Sequence, residues 1–208
     1  MKIAIIGASA GIGLQTTRLA LERGHEVTCL SRRIVPLPDH AKLRRVQGSA
    51  TNPNDVRATI EGADAILVTI GTKSPLATTM FSDSARILLQ TIREMGSSPT
   101  LIVLTGFGAG DSWGYNSLPV KLLFTLLLKA VYSDKNEQEQ LVARGYPRWA
   151  IVRPGRLTNG TMTGHYRVLD NLVEGMRVGA ISRSDVAHFM VAQAENPTYL
   201  GKYPALTY

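Results

Sequence analysis

The chain has 208 residues, 44% hydrophobic and 19% charged, the balance of a water-soluble globular domain of ordinary size. Its formal charge of +7 comes from scattered basic residues without a long run or interleaved aromatics, so an anionic cofactor or substrate accounts for it better than nucleic acid. No apolar run approaches the roughly 20 residues that span a bilayer, and the single cysteine, Cys29, excludes an intrachain disulfide and a paired-cysteine metal or redox site. These features predict a cytoplasmic protein, monomeric or weakly dimeric, with no membrane or nucleic-acid partner.

Lys2-Ile3-Ala4-Ile5-Ile6 is a short apolar run that reads as a buried strand. It breaks into Gly7-Ala8-Ser9-Ala10-Gly11-Ile12-Gly13, and a helical pattern follows to Arg23, with Gly24 as a stop. Strand, glycine turn and helix form the context of a dinucleotide site. Gly7 serves the sharp turn, Gly11 leaves room for a pyrophosphate, and Gly13 lets helix and strand pack closely. The opening N–H groups of the helix can hold an anion. The plainer alternative is an ordinary glycine-rich turn.

His25–Leu30 is a second strand, ending in Ser31-Arg32-Arg33, and Leu43–Gln47 a third. Asn52-Pro53 starts a short helix with an Asn cap and Pro at its first position. Asp64–Ile70 is a fourth strand, followed by a loop containing Gly71-Thr72-Lys73. Met80–Met95 is amphipathic, with Ile87, Leu88 and Ile92 inward, and Leu101–Thr105 is a fifth strand. A long loop from Gly106 to Leu118 precedes a very apolar helix opened by Pro119, too short to span a membrane. Asp134–Ala143 is a polar helix and Trp149–Val152 a sixth strand, leading into Pro154-Gly155-Arg156. His165–Leu169 and Val178–Ser182 read as short strands, Ser182 caps a helix through Ala194, and Tyr203–Thr207 is a last strand. No repeat or linker divides the chain, which predicts one domain over residues 1–208.

Alternation of strands and helices predicts an α/β fold, a Rossmann-like doubly wound parallel sheet in the order 3-2-1-4-5-6 with a short extra strand. Ligands of such sheets lie beyond the carboxyl ends of the strands at the switch point, which selects the loops after strands 1, 2, 4, 5 and 6. Nicotinamide sites specific for the unphosphorylated ribose carry an acid after strand 2; this chain has Ser31-Arg32-Arg33 instead. Guanidinium groups match a phosphate, so NADP(H) is expected, with Arg32 as the main contact and Arg33 or Ser9 helping. A surface arginine is the alternative for either one alone. Gly71, Thr72 and Lys73 are placed for phosphates or ribose. Thr105 and Gly106, with Pro154, Gly155 and Arg156, are placed beside the nicotinamide. His25, His40, His165 and His188 lack metal-ligand spacing, so no metal site is expected.

GASAGIG, the arginine after strand 2, LVTIGTK, YSDKNEQEQLV, WAIVRPGRLTNG, TGHYRV and ISRSDVAHFM together resemble the atypical short-chain dehydrogenases/reductases, in the NAD(P)H-binding group that includes biliverdin and flavin reductases. The resemblance covers nearly the whole chain. It implies hydride transfer to a planar acceptor, with flavin as substrate rather than bound cofactor. The Tyr-x-x-x-Lys pair of the classical reductases is broken, because Asn136 stands four residues after Tyr132 and Lys135 comes one residue early. Tyr132 then reads as a packing aromatic and Lys135 as a holder of the nicotinamide ribose. Gly106 and Arg156 stand where relatives have Ser and His, and Gly48-Ser49 where many have Gly-Asp. With no intact pair, the proton is expected from solvent. Lys135, Arg156 and Thr105 are the expected catalytic residues, Arg156 holding an anionic group of substrate or cofactor. Trp113, Tyr115 and Tyr166 are candidates for an aromatic wall. The rival readings are a non-catalytic NADP(H) sensor and an interaction protein docking through its apolar helix.

Overall fold

The computed structural model describes residues 1–72, 78–115, 129–173 and 176–208, and the side chains of all of these except 113–115 and 129. Ten strands run in chain order: β1 Lys2–Ile6, β2 Glu26–Ser31, β3 Leu43–Gln47, β4 Ala65–Val68, β5 Thr100–Leu104, β6 Trp149–Pro154, β7 Arg156–Thr158, β8 Arg167–Leu169, β9 Ala180–Ser182 and β10 Ala205–Thr207. The described helices are α1 Gly11–Glu22, α2 Pro53–Ile60, α3 Met80–Glu94, α4 Lys129–Gly145 and α5 Arg183–Glu195.

Eight strands form one sheet in the order β3-β2-β1-β4-β5-β6-β10-β8. All neighbouring pairs from β3 to β10 are parallel, and β8 closes the edge antiparallel to β10. The expected order 3-2-1-4-5-6 is present, and the sheet continues past the expected extra strand by one more. β7 and β9 form a separate parallel pair, with Leu157 opposite Ile181.

Successive strand residues face opposite sides, and both sides are covered. Ile3 and Ile5 of β1 join Val27, Leu67 and Ile102 beneath α1 and α5, where Val186 and Met190 are fully buried. Ala4 and Ile6 join Ile66, Val68 and Val103 beneath α2, α3 and α4. This two-sided burial is why the strands read as continuous apolar runs. On α3 the expected stripe is present: Leu88 and Ile92 are buried and Ile87 is partly buried against the same cluster.

Local chemistry sets two of the helix starts. Asn52 Oδ1 accepts from the amides of Asn54 (2.9 Å) and Asp55 (3.3 Å), ahead of Pro53 at the first position of α2. Ser182 Oγ accepts from Asp185 N at 2.9 Å and starts α5. The start of α3 is held from outside: Asp134 of α4 accepts from Phe81 N (2.9 Å) and Ser82 N (3.0 Å), one through each carboxylate oxygen. α4 is longer than its polar pattern suggests. The apolar helix expected after Pro119, the end of the preceding loop and Lys73 lie outside the described residues.

Candidate functional site

The turn after β1 is as tight as its glycines imply. Gly7 has φ +99°, and a Cβ there would fall 2.8 Å from the backbone of Thr69 and Ile70 on the neighbouring strand's exit. A Cβ on Gly13 would lie 2.2 Å from the Gly7 carbonyl oxygen and 2.5 Å from Thr69 Oγ1. Thr69 Oγ1 itself donates toward the carbonyls of Ile6 and Gly7. These two glycines therefore serve close packing. Gly11 differs: its φ is +55° and a Cβ would meet nothing within 4 Å. It borders open space at the first turn of α1. Ala10, at the cap position, supplies no side-chain hydrogen bond, and the first turn carries no acid. Ile12 is buried in the core, so its backbone alone faces this end. The leading amides of α1 and the positive end of its dipole are thus presented to that space, a seat for an anion.

A cleft of about 1180 Å³ opens beside Gly7 and Ser9 and runs across the carboxyl ends of β3, β2, β1 and β4; Ala10, Gly11, Ile12, Gly13, Thr105, Gly106 and Lys135 do not line it. Gly7, Ser9, Arg32, Arg33 and Thr72 line it, so the structure brings together five of the residues singled out in sequence. Arg32 and Arg33 are exposed and enter no ion pair among the described residues. Ser31, buried beneath them, turns its hydroxyl to the Arg33 carbonyl at 2.5 Å and shapes the bend. Gly48 lies over Asp55, whose carboxylate accepts from Ser49 N at 2.9 Å. Gly71 is exposed with no atom within 4 Å of a built Cβ. The open glycine, the bare helix start and two unpaired guanidinium groups fit a phosphorylated dinucleotide.

The remaining residues gather at the ends of β5 and β6, next along the sheet. Lys135 Nζ donates to the Thr105 carbonyl at 2.6 Å and sits 5.6 Å from the centre of the Tyr132 ring. Burial pulls the Lys135 ammonium down to about 8, against the opposing charge of Glu139. Burial, with Glu139 adding to it, pushes the Tyr132 phenol up to about 12. The Tyr132 hydroxyl oxygen lies 2.9 Å from where a Cβ of Gly106 would be, so glycine makes room for the phenol. A three-residue spacing still puts Tyr132 and Lys135 on one helix face. The hydroxyl of Thr105 points away from this space and donates to Glu139 Oε1 at 2.6 Å; its carbonyl is the part that meets Lys135.

Other expected residues take different places. Pro154 is buried at the end of β6, and its carbonyl accepts from Phe107 N at 2.9 Å. A Cβ on Gly155 would lie 2.3 Å from the Gly179 carbonyl oxygen, so this glycine lets β7 approach the segment before β9. Arg156 is exposed at the start of β7 and does not line the cleft. Tyr166 bonds His188 Nδ1 at 2.8 Å, packs on Phe189 and does not line the cleft; the side chains of Trp113 and Tyr115 lie outside those described. Asp111, Glu139 and Arg153, which join beneath the loop after β5, have no motif spacing in sequence. A charged residue inside the apolar strand WAIVRP was the available signal.

A family model described as NAD(P)H-binding matches residues 7–197. A 3-beta-hydroxysteroid dehydrogenase of Mycolicibacterium neoaurum is 40% identical over 68 residues, which is 33% of this chain and 19% of that enzyme's length. ChuY of Escherichia coli CFT073 is 25% identical, with a TM-score of 0.79 over 100% of this chain and 96% of that one. ChuY of Escherichia coli O157:H7, an anaerobilin reductase, is 24% identical with a TM-score of 0.80, covering 100% and 97%. A short-chain dehydrogenase/reductase of Veillonella parvula in complex with NADP is 15% identical with a TM-score of 0.82, covering 100% and 94%.

Proposed function

We propose that this chain, which belongs to the NAD(P)H-binding family of oxidoreductases, is an NADPH-dependent reductase of a planar acceptor: a flavin, a quinone or a tetrapyrrole. The observation that carries this reading is that the anion seat at α1, the arginines after β2 and the Tyr132–Lys135 face at the end of β5 all stand at the carboxyl ends of strands of one parallel sheet, in the order β2-β1-β4-β5. Gly11 and the leading amides of α1 would hold the pyrophosphate. Arg32, assisted by Arg33 and Ser9, would hold the 2′-phosphate. Lys135 would anchor the nicotinamide ribose, and the Thr105 carbonyl orients its ammonium. The bound nicotinamide supplies the hydride, and the protein orients it and excludes water.

A planar acceptor of this kind can take its proton from solvent. Tyr132 offers a second source: its phenol is protonated at neutral pH and stands beside the Lys135 ammonium, while burial, which pushes its pKa up to about 12, makes it a weaker acid than a free tyrosine. That placement supports turnover over a non-catalytic sensor, a reading that leaned on the broken spacing. A flavin would act here as substrate. The reduction of anaerobilin by ChuY makes open-chain tetrapyrroles the first acceptors to try.

Titration with NADPH, followed by its oxidation in the presence of FMN, quinones and biliverdin, tests the reading. Tight binding without oxidation by any acceptor would overturn it. Arg32→Ala should lower the preference for NADPH over NADH by about tenfold to a hundredfold, the worth of one charge-assisted contact. An unchanged preference would remove Arg32 from the site.

A further inference from the structure

Arg153, the second-last residue of β6, turns its guanidinium into the protein. Its side chain and that of Glu139 on α4 are each 3% exposed. Arg153 Nε donates to Glu139 Oε1 at 3.1 Å and Nη2 to Oε2 at 2.6 Å. Burying both charges is costly, and such a pair is often no better for stability than apolar packing, so its value lies in what it orients. It orients two things. Glu139 Oε1 also accepts the Thr105 hydroxyl at 2.6 Å, and the carbonyl of that same residue receives Lys135 Nζ. Arg153 Nη1 reaches outward to Asp111 Oδ1 at 2.6 Å, in the short 3-10 turn Gly110–Tyr115, while its guanidinium lies 4.2 Å from the centre of the Tyr203 ring. A Cβ on Gly110 would fall 2.5 Å from Arg153 Nη2, so the turn rests directly on the guanidinium. Asn136 Oδ1 accepts from Gly110 N at 2.6 Å and fastens the turn from α4.

We propose that Glu139 and Arg153 are positioning residues of this site: one carboxylate fixes the strand end that receives Lys135, and its guanidinium partner latches the loop after β5 through Asp111. This rests on the reductase reading for its catalytic meaning, since the loop and Lys135 flank the place where an acceptor would meet the nicotinamide. Four residues of α4 then share one task. Tyr132 and Lys135 face the strand end, Asn136 and Glu139 hold the loop and strand that frame it. Around Lys135 Nζ lie the Thr105 carbonyl at 2.6 Å, the Phe81 ring at 5.2 Å and the Tyr132 ring at 5.6 Å, and Glu139 is the charged group that acts on it. Glu139 opposes the effect of burial on the ammonium.

The test follows the Lys135 side chain by NMR of labelled lysine, together with the pH profile of kcat/KM, in Glu139→Gln, Asp111→Asn and the double variant Glu139→Gln/Arg153→Met. In Glu139→Gln the Lys135 midpoint should fall from about 8 by roughly a unit or more, about a tenfold change in its charged fraction, and the high-pH limb of kcat/KM should move down with it. Asp111→Asn, altered at an exposed position, should leave that midpoint in place, raise KM for the acceptor and speed hydrogen exchange at the Gly110 amide. If Glu139→Gln alone does not fold, the double variant, which leaves no unpaired buried charge, carries the test. A wild-type Lys135 midpoint and wild-type kcat/KM in whichever variant folds would overturn the proposal; a lowered midpoint in a folded variant supports it. A wild-type protein that binds NADPH but oxidises it with none of the acceptors overturns the reductase reading instead, and the Lys135 midpoint still decides the positioning role.

Discussion

Within the seven residues from Gly7 to Gly13, Gly11 does different work from Gly7 and Gly13. Gly13 has no room: a Cβ would sit 2.2 Å from the Gly7 carbonyl oxygen, with backbone rather than a flexible side chain as the obstacle. Gly13→Ala should cost about 1–3 kcal/mol, the range for overpacking, read as a lower midpoint in urea unfolding. Gly11 has room but a left-handed φ of +55°. Gly11→Ala should cost only about 1–2 kcal/mol of stability while weakening NADPH binding more than Gly13→Ala does, because the new methyl enters the cofactor's space. Equal effects on binding and stability in both variants would show that the two glycines share a role. The motif was legible from spacing alone; the division of labour was not, because it depends on how closely the exit of β4 passes beneath the turn.

At the level of elements, the starts of α2, α3 and α5 each have a side-chain cap, and only two of those caps are local. Asn52 and Ser182 cap their own helices within three residues, so both were readable in sequence. The cap of α3 comes from Asp134, more than fifty residues away, and no local pattern announces it. Asp134 is buried and holds two amides, so Asp134→Ala leaves both without that partner in the interior. The expected loss is about 1–3 kcal/mol, a fall in Tm of roughly 2–4 °C for each kcal/mol in a chain of this size. Calorimetry of this variant checks it, and an unchanged Tm would mean that the α3 amides find other partners. The same helix carries Tyr132 and Lys135, so cofactor release in Asp134→Ala should also be faster.

Across the whole molecule, Asp185 ties the last elements together. Its carboxylate accepts from Thr163 N and Gly164 N (2.8 Å each), the hydroxyls of Thr163 and Ser182 (3.0 Å each), and the Tyr208 hydroxyl (2.6 Å). Burial alone would raise its pKa; the hydrogen bonds from Tyr208, Gly164, Thr163 and Ser182 outweigh burial and hold it below the usual carboxylate range. A folded pKa below the unfolded one, near 3.9, means stability fully present above that value and lost as pH falls through it toward the folded pKa. Urea midpoints should therefore drop steeply below about pH 4, in the range of the unfolded carboxylate. Asp185→Asn should start less stable and lose less over that range. A slope no flatter than wild type would place the acid sensitivity in other carboxylates.

The α/β class and the sheet order were legible in the sequence, as were the glycine turn and the two arginines after the second strand. Those rest on periodicity and on residues close in the chain: apolar runs buried on both faces, Ile6 opening directly into Gly7, Ser31 leading into Arg32. The tertiary structure decided what depends on distance along the chain. It turned the Thr105 hydroxyl from the site toward Glu139 and set its carbonyl against Lys135. It brought Tyr132 to Gly106, and it seated Arg153 between Glu139 and Asp111. A spacing rule sees a tyrosine and a lysine three residues apart as a broken pair. A helix with about 3.6 residues per turn lays both on one face, and the strand end opposite gives that face its chemistry.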